Sequence, residues 1–351
     1  MLWKSREKFF NNLGTDIKQN PKRFWSVLKR SSKTRNIPDI ISSTNNVNTP
    51  GANTAQRTAA DNPDGIANMF NHYFASVFST KKANEEDVIE SDEPIMTDLT
   101  FSEEEVSYVL RSLDSSKATG PDGIPARLLR ETADVITPSL CKLFNISVIS
   151  GTIPDEWKLA NIVPVHKKGD KEYAENYRPI SLLCITSKVL ERCVLNNIKT
   201  RLYDAVNMCQ HGFMAGRSCI TNLIDTLDYV GSCLDSGGHI DIIYMDMSKA
   251  FDKVDHDVLI RKLQKDYGFG GNLLRWFRCY LENCKQRVTV LGATSDLLPV
   301  TSGVPQGSIL GPALFLLYVN DLPSNVKSSR VAMFADDTKV FKAIQSPNDA
   351  I

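Results

Sequence analysis

Two adjacent aspartates, Asp336 and Asp337, interrupt the run RVAMFADDTKVF at residues 330–341, with short apolar stretches on either side. Apolar flanks around a two-residue polar break are the form of a tight β-hairpin. Asp suits such tips, so the pair can be a solvated turn and nothing more. It can equally hold a cation, because neighbouring carboxylates repel unless a cation or a proton lies between them. A third aspartate, Asp246, ends the clearest strand pattern of the chain, residues 240–247 (IDIIYMDM). Alternation puts Ile243 and Met245 on one face and Ile242, Tyr244 and Asp246 on the other. Asp246 can serve as a loop residue or a helix cap, but Asp255 or Asp257 is the better cap for the helix that follows. Asp246 is thus left without an obvious structural task. An aspartate at a strand end and an Asp pair on an adjacent hairpin meet the needs of nucleotidyl transfer. That chemistry uses two divalent ions about 3.5–4 Å apart, one at the attacking 3′-hydroxyl and one at the triphosphate. Mg²⁺ prefers carboxylate, water and phosphate oxygens, which is the donor set these residues offer.

The elements that must position these carboxylates alternate between helix and strand. Residues 126–150 read as helical with a break at Pro138, and residues 160–165 as a strand leading into the polar loop Lys167-Lys168-Gly169-Asp170. Residues 177–181 (YRPIS) are extended, since the residue before a proline is pushed out of the α region. Ile185, Val189, Leu190, Val194, Ile198 and Leu202 mark a long amphipathic helix. After a Gly-containing loop at 211–218, Ile220, Leu223, Ile224, Leu227 and Leu234 mark another, closed by Gly237-Gly238. Residues 286–291 and 298–301 form a hairpin. The segment 302–311 (SGVPQGSILG) follows, where Gly303 and Gly307 flank Pro305-Gln306; it is either a backbone that must approach something closely or a plain strand-to-helix turn.

Upstream the pattern is looser. Residues 2–30 read as two short helical pieces, and 31–63 as a flexible linker rich in Ser, Thr, Asn, Pro and Gly. Residues 66–78 form a helix, 85–98 are acidic, and Ser102-Glu103-Glu104-Glu105 opens a helix with a capping box. Residues 117–125 (KATGPDGIP) form a rigid turn. Formal net charge is zero, yet residues 1–60 hold eleven Lys/Arg against three Asp/Glu, and residues 61–105 hold two against twelve. A solvated linker accounts for such asymmetry. Eight cysteines are scattered without a CxxC pair, which fits reduced thiols better than a structural zinc site. No stretch approaches the roughly 20 apolar residues of a membrane span, and no secretory signal opens the chain.

The ordered series KATGPDGIP, PVHKKGD, NYRPISLL, HGFMAGRS, YMDMSKAFDKVDH, TSGVPQGSILGP and FADD resembles the fingers and palm of reverse transcriptases of non-LTR, jockey-like (LINE-type) retrotransposons. The resemblance implies an α/β (α+β) fold, with an antiparallel palm sheet backed by helices. Residues 1–105 resemble the connector that precedes the polymerase, with the linker at about 31–63 and an acidic stretch at about 85–105. Residues 106–351 resemble fingers and palm, incomplete at the C-terminus. Only fourteen residues follow Asp337, so the thumb is absent from this sequence, as is the endonuclease domain that usually precedes the polymerase. The implied activity is RNA-directed DNA polymerisation with Mg²⁺ as two ions (Mn²⁺ as a substitute), dNTP substrates, an RNA template and a DNA primer. Asp246 and Asp336 match the principal metal ligands and Asp337 the assisting one. Phe251 matches the gate that excludes ribonucleotides, beside its other role as a core Phe opening a helix. Gln306, with Gly303 and Gly307, matches the loop near the templating base. Arg178, and with it Lys167 or Lys168, match the triphosphate-neutralising residues, although an ordinary solvated hairpin also explains the lysines. The resemblance implies an intracellular protein of nucleus or cytoplasm, with no membrane partner; nothing in it indicates an oligomeric state. A non-catalytic nucleic-acid-binding remnant is the alternative. A metal-dependent phosphohydrolase fits less well, because no water-activating His or Glu accompanies the aspartates.

Overall fold

The computed structural model describes residues 37–45, 56–79 and 96–344. The two helical pieces expected at 2–30, and most of the acidic stretch, lie outside these residues. The linker expected at 31–63 is in part a strand pair: β1 (Ile41–Asn45) and β2 (Gln56–Ala60) are antiparallel. Ile37 and Ile41 are buried, which anchors a segment that composition alone reads as loose. Helix α1 (Pro63–Ser76) starts at the cap Asn62, whose side chain accepts from the Gly65 amide.

Helix α2 (Glu103–Arg111) is capped by Ser102, which accepts from the Glu105 amide at 3.2 Å. The expected break at Pro138 falls elsewhere. Helices α3 (Ala126–Glu131) and α4 (Ala133–Ser150) part at Thr132, and Pro138 lies within α4. The Thr137 hydroxyl donates to the Ala133 carbonyl at 2.6 Å in that same turn. Next come β3 (Leu159–His166), β4 (Tyr177–Leu182), the long α5 (Ile185–Ala205) and α6 (Cys219–Asp235). Then follow β5 (His239–Met245), α7 (His256–Lys265), α8 (Gly271–Leu281), β6 (Lys285–Val290), β7 (Ala293–Thr294) and β8 (Leu298–Pro299). Helix α9 (Gly311–Val319) and the hairpin β9 (Arg330–Phe334) and β10 (Asp337–Ile344) complete the order.

Among the described residues the strands form three sheets. Besides the β1–β2 pair, one runs β4-β3-β6-β7 with β8 also on β6, and one is the antiparallel β5-β10-β9. The first sheet shares a core with α1. Phe70 is fully buried and meets the Tyr177 ring edge-on at 4.9 Å, with Phe74, Ile162 and Val288 in the same cluster. The helix expected in the connector is therefore built into this sheet, because its Ile66–Phe70–Phe74 stripe has Val288 and Val290 to cover. The larger core unites α2, α4, α5, α7, α8 and α9 around Phe144, Leu190, Trp276 and Phe315.

Helix α6 backs the β5-β10-β9 sheet, but with the opposite face from the one the apolar periodicity indicates. Asn222, Thr226 and Cys233 are buried, whereas Ile220, Leu223, Ile224, Leu227 and Leu234 are exposed. Polar pairing turns the helix: the Asn222 amide donates to the Met333 carbonyl at 3.2 Å and accepts from Lys339 Nζ at 2.8 Å.

Candidate active site

The register of β10 on β5 pairs Thr338 with Met245, so the next step along both strands brings Asp337 beside Asp246. Asp337 itself pairs with Phe334, and the tight turn of the hairpin is Ala335-Asp336, not the Asp-Asp pair. Ala335 carries a left-handed φ of 57°. The Gln210 side chain supports that conformation from 125 residues away. Its Oε1 accepts from the Ala335 amide (2.8 Å) and the Gly212 amide (2.8 Å), and its Nε2 donates to the Ala335 carbonyl (3.2 Å). The flanking loop adds two rungs to the edge of β9, His211 N to Met333 O and Met333 N to Cys209 O, both at 2.9 Å. Gln210 is a positioning residue that sequence reasoning missed; the one signal was its place directly before the HGFMAGRS motif.

Asp246 and Asp336 line one cavity of about 730 Å³ together with Lys167, Lys168, Arg178 and Phe251. Gln306 and Gly307 border it as well. Gly303 lies behind the loop, facing a second cavity, and Asp337 is outside the lining. Burial, then the charges of Asp337 and Asp246, push the Asp336 carboxyl above its ordinary value, while Lys167 pulls it down. Among the described residues, no three His, Cys, Asp or Glu side chains are gathered closely enough to hold a metal ion as they stand. A hard cation bound by Asp246 and Asp336 would relieve the repulsion between neighbouring carboxylates. On that donor chemistry the residues fit Mg²⁺.

Phe251 lies in a short 3₁₀ turn, Ala250–Lys253, stacked on Phe315 of α9 at 4.3 Å and edge-on to Phe213 at 6.1 Å. It is half-buried, so one side belongs to the core and another to the cavity. The 302–311 loop is held from several sides. Gly303 N donates to Val254 O (2.7 Å), Val304 N to Phe251 O (2.8 Å) and Ser181 N to Gln306 O (2.8 Å). Gly303 (φ 88°) and Gly307 (φ 133°) are required: an added Cβ would meet the Asp252 backbone at 2.8 Å and Ser181 O at 2.5 Å respectively. The loop thus approaches protein backbone closely and also takes up left-handed backbone at both glycines, so both expectations for it hold. Glu191 of α5 is buried and accepts from Ile309 N (2.7 Å) and Leu310 N (3.0 Å), which pins the end of the loop.

Arg178 extends from β4 opposite Val165, and Lys167 and Lys168 follow β3, so the cations ride one hairpin. Sequence reasoning also missed Lys249 and Asp252, which line the same cavity. Burial pushes the Asp252 carboxyl up to about 6, against the pull of Lys249 and a hydrogen bond from Gln306.

Comparison with known proteins agrees with this geometry. Residues 165–349 match the family model described as reverse transcriptase (RNA-dependent DNA polymerase). The chain is 28% identical, over 97% of its length, to the RNA-directed DNA polymerase from mobile element jockey of Drosophila melanogaster, covering 38% of that protein. It is 28% identical over 83% of its length to the probable RNA-directed DNA polymerase from transposon BS of the same organism, covering 34%. It is 32% identical over 70% of its length to that from transposon X-element, covering 28%. The chain thus spans well under half the length of these curated relatives.

Proposed function

Because the chain belongs to the reverse transcriptase family, with polymerases of jockey-like mobile elements among its relatives, we propose that it carries an RNA-directed DNA polymerase site. The observation that carries this reading is the single cavity in which Asp246 and Asp336 face Phe251 and the cations Lys167, Lys168 and Arg178. Asp246 and Asp336 would hold Mg²⁺, with Asp337 assisting, and the bound ions would activate the primer 3′-hydroxyl and neutralise the triphosphate. Arg178, Lys167 and Lys168 bind phosphate oxygens of the incoming dNTP. The Phe251 ring, fixed by Phe315, lies against the sugar and excludes a 2′-hydroxyl. Gln306, carried on a loop braced by Gly303 and Gly307, borders the templating base. The primer 3′-oxygen then attacks the α-phosphorus and pyrophosphate leaves. RNA is held through backbone and sugar, and base pairing supplies sequence. Two regions are distinguished within the chain: 1–105 as the connector and 106–351 as fingers and palm, with α1 contributed by the first to the core of the second.

The second reading, a nucleic-acid-binding remnant without turnover, rests on the cations Lys167, Lys168 and Arg178, which would hold a polyanion without any metal chemistry. Extension of oligo-dT on poly-rA with Mg²⁺ separates the two. The polymerase extends the primer, Asp336→Ala abolishes extension, and Phe251→Ala admits ribonucleotides. RNA binding without extension by the wild type supports the remnant.

A further inference from the structure

We propose that Lys249 is a further cationic ligand of the incoming triphosphate, held in the cavity by the aromatic face of Tyr73; this deepens, and rests on, the polymerase reading. Lys249 lies three residues after Asp246 and two before Phe251, and all three line the cavity. With Asp246 at the reacting phosphate and Phe251 at the sugar, the residues between them run beside the phosphate chain. The backbone of Lys249 is left-handed (φ 56°) and caps the 3₁₀ turn Ala250–Lys253, which follows shortly after the end of β5 at Met245.

Lys249 is half-buried, a costly place for a cation without compensation. The Tyr73 ring, with its centroid 5.3 Å from Nζ, and the Asp252 carboxylate supply that compensation. Burial, with the positive charges of Lys167 and Arg178, lowers the Lys249 pKa, while Asp252 and Glu175 pull it up. Three like charges crowding one space are relieved by a polyanion. A cation resting on an aromatic face is also readily handed over, because phosphate oxygens make stronger, charge-assisted bonds. Lys253, at the other end of the same turn, is exposed and serves as the contrast. Tyr73 belongs to α1, outside the 165–349 segment that the family model matches, so the helix upstream of that segment backs Lys249 without itself lining the cavity.

Calorimetric titration of the full chain with Mg²⁺–tripolyphosphate tests this. The wild type binds, Lys249→Met weakens binding about tenfold or more, and Lys249→Arg and Lys253→Met stay within about threefold. Tyr73→Leu weakens binding several-fold, whereas Tyr73→Phe, which keeps the ring face, does not. A second readout needs no variant: tripolyphosphate shields Lys249 of the wild type from amine acetylation, read by mass spectrometry. Equal binding by wild type and Lys249→Met, or undiminished acetylation of Lys249, overturns the role of Lys249 and leaves the polymerase reading standing. Failure of the wild type to bind either tripolyphosphate or dGTP overturns that reading, and this inference with it.

Discussion

The sheet built on β3 and the sheet built on β10 both supply residues to one cavity, yet they are covered very differently. The β3 sheet carries Arg178 and borders the lysines, and its core is closed by α1, with Phe70, Ile41 and Val288 fully buried. The β10 sheet carries the aspartates. Its edge strand β5 leaves Ile243, Tyr244 and Met245 exposed, and its backing helix α6 shows an apolar face to solvent. The basic side of the cavity is thus held by burial. The carboxylate side is held by specific hydrogen bonds, above all those of Gln210.

Substitutions can break this contrast. Phe70→Ala should cost about 3–5 kcal/mol in urea unfolding, while Leu227→Ala on the exposed face of α6 should stay within about 0.5 kcal/mol. A large cost at Leu227 would show that this face is covered in solution. Gln210→Ala leaves the Ala335 and Gly212 amides without their acceptor, at about 1–3 kcal/mol for each orphaned group. It should lower primer extension by more than its stability loss explains; extension unchanged in the folded variant would remove Gln210 from the positioning machinery.

A further effect is a pH dependence. Asp252, at about 6 in the fold against an ordinary 3.8, binds its proton more tightly folded than unfolded. Its contribution to stability is therefore full below the ordinary value and is lost as pH rises toward about 6, by at most about 1.4 kcal/mol per unit. Above that it is flat. Asp252→Asn should remove this slope from a plot of stability against pH, and an unchanged slope would assign it to other groups.

Much of this was legible in the chain itself because it is local. Alternation in β5 put Asp246 at a strand end, Ser102 caps a helix, and Gly303 and Gly307 bracket a loop that closely approaches backbone. What escaped is non-local. The α6 periodicity points to a buried apolar stripe, but which face is covered depends on Asn222 meeting Met333 and Lys339 more than a hundred residues on. Gln210 on Ala335 and Tyr73 on Lys249 are likewise contacts between distant segments, with no spacing to betray them. The α1 stripe was visible, yet its partner strand β6 lies over two hundred residues away.

Binding of Mn²⁺, followed by its electron paramagnetic resonance signal, tests most directly whether the carboxylates at the β5 and β10 ends act as one site. The wild type should take up Mn²⁺. Asp246→Asn and Asp336→Asn should each lose most of that uptake, and Asp337→Asn, outside the cavity lining, should lose less. Uptake indifferent to both Asp246 and Asp336 would contradict a shared metal site at this pair of strands.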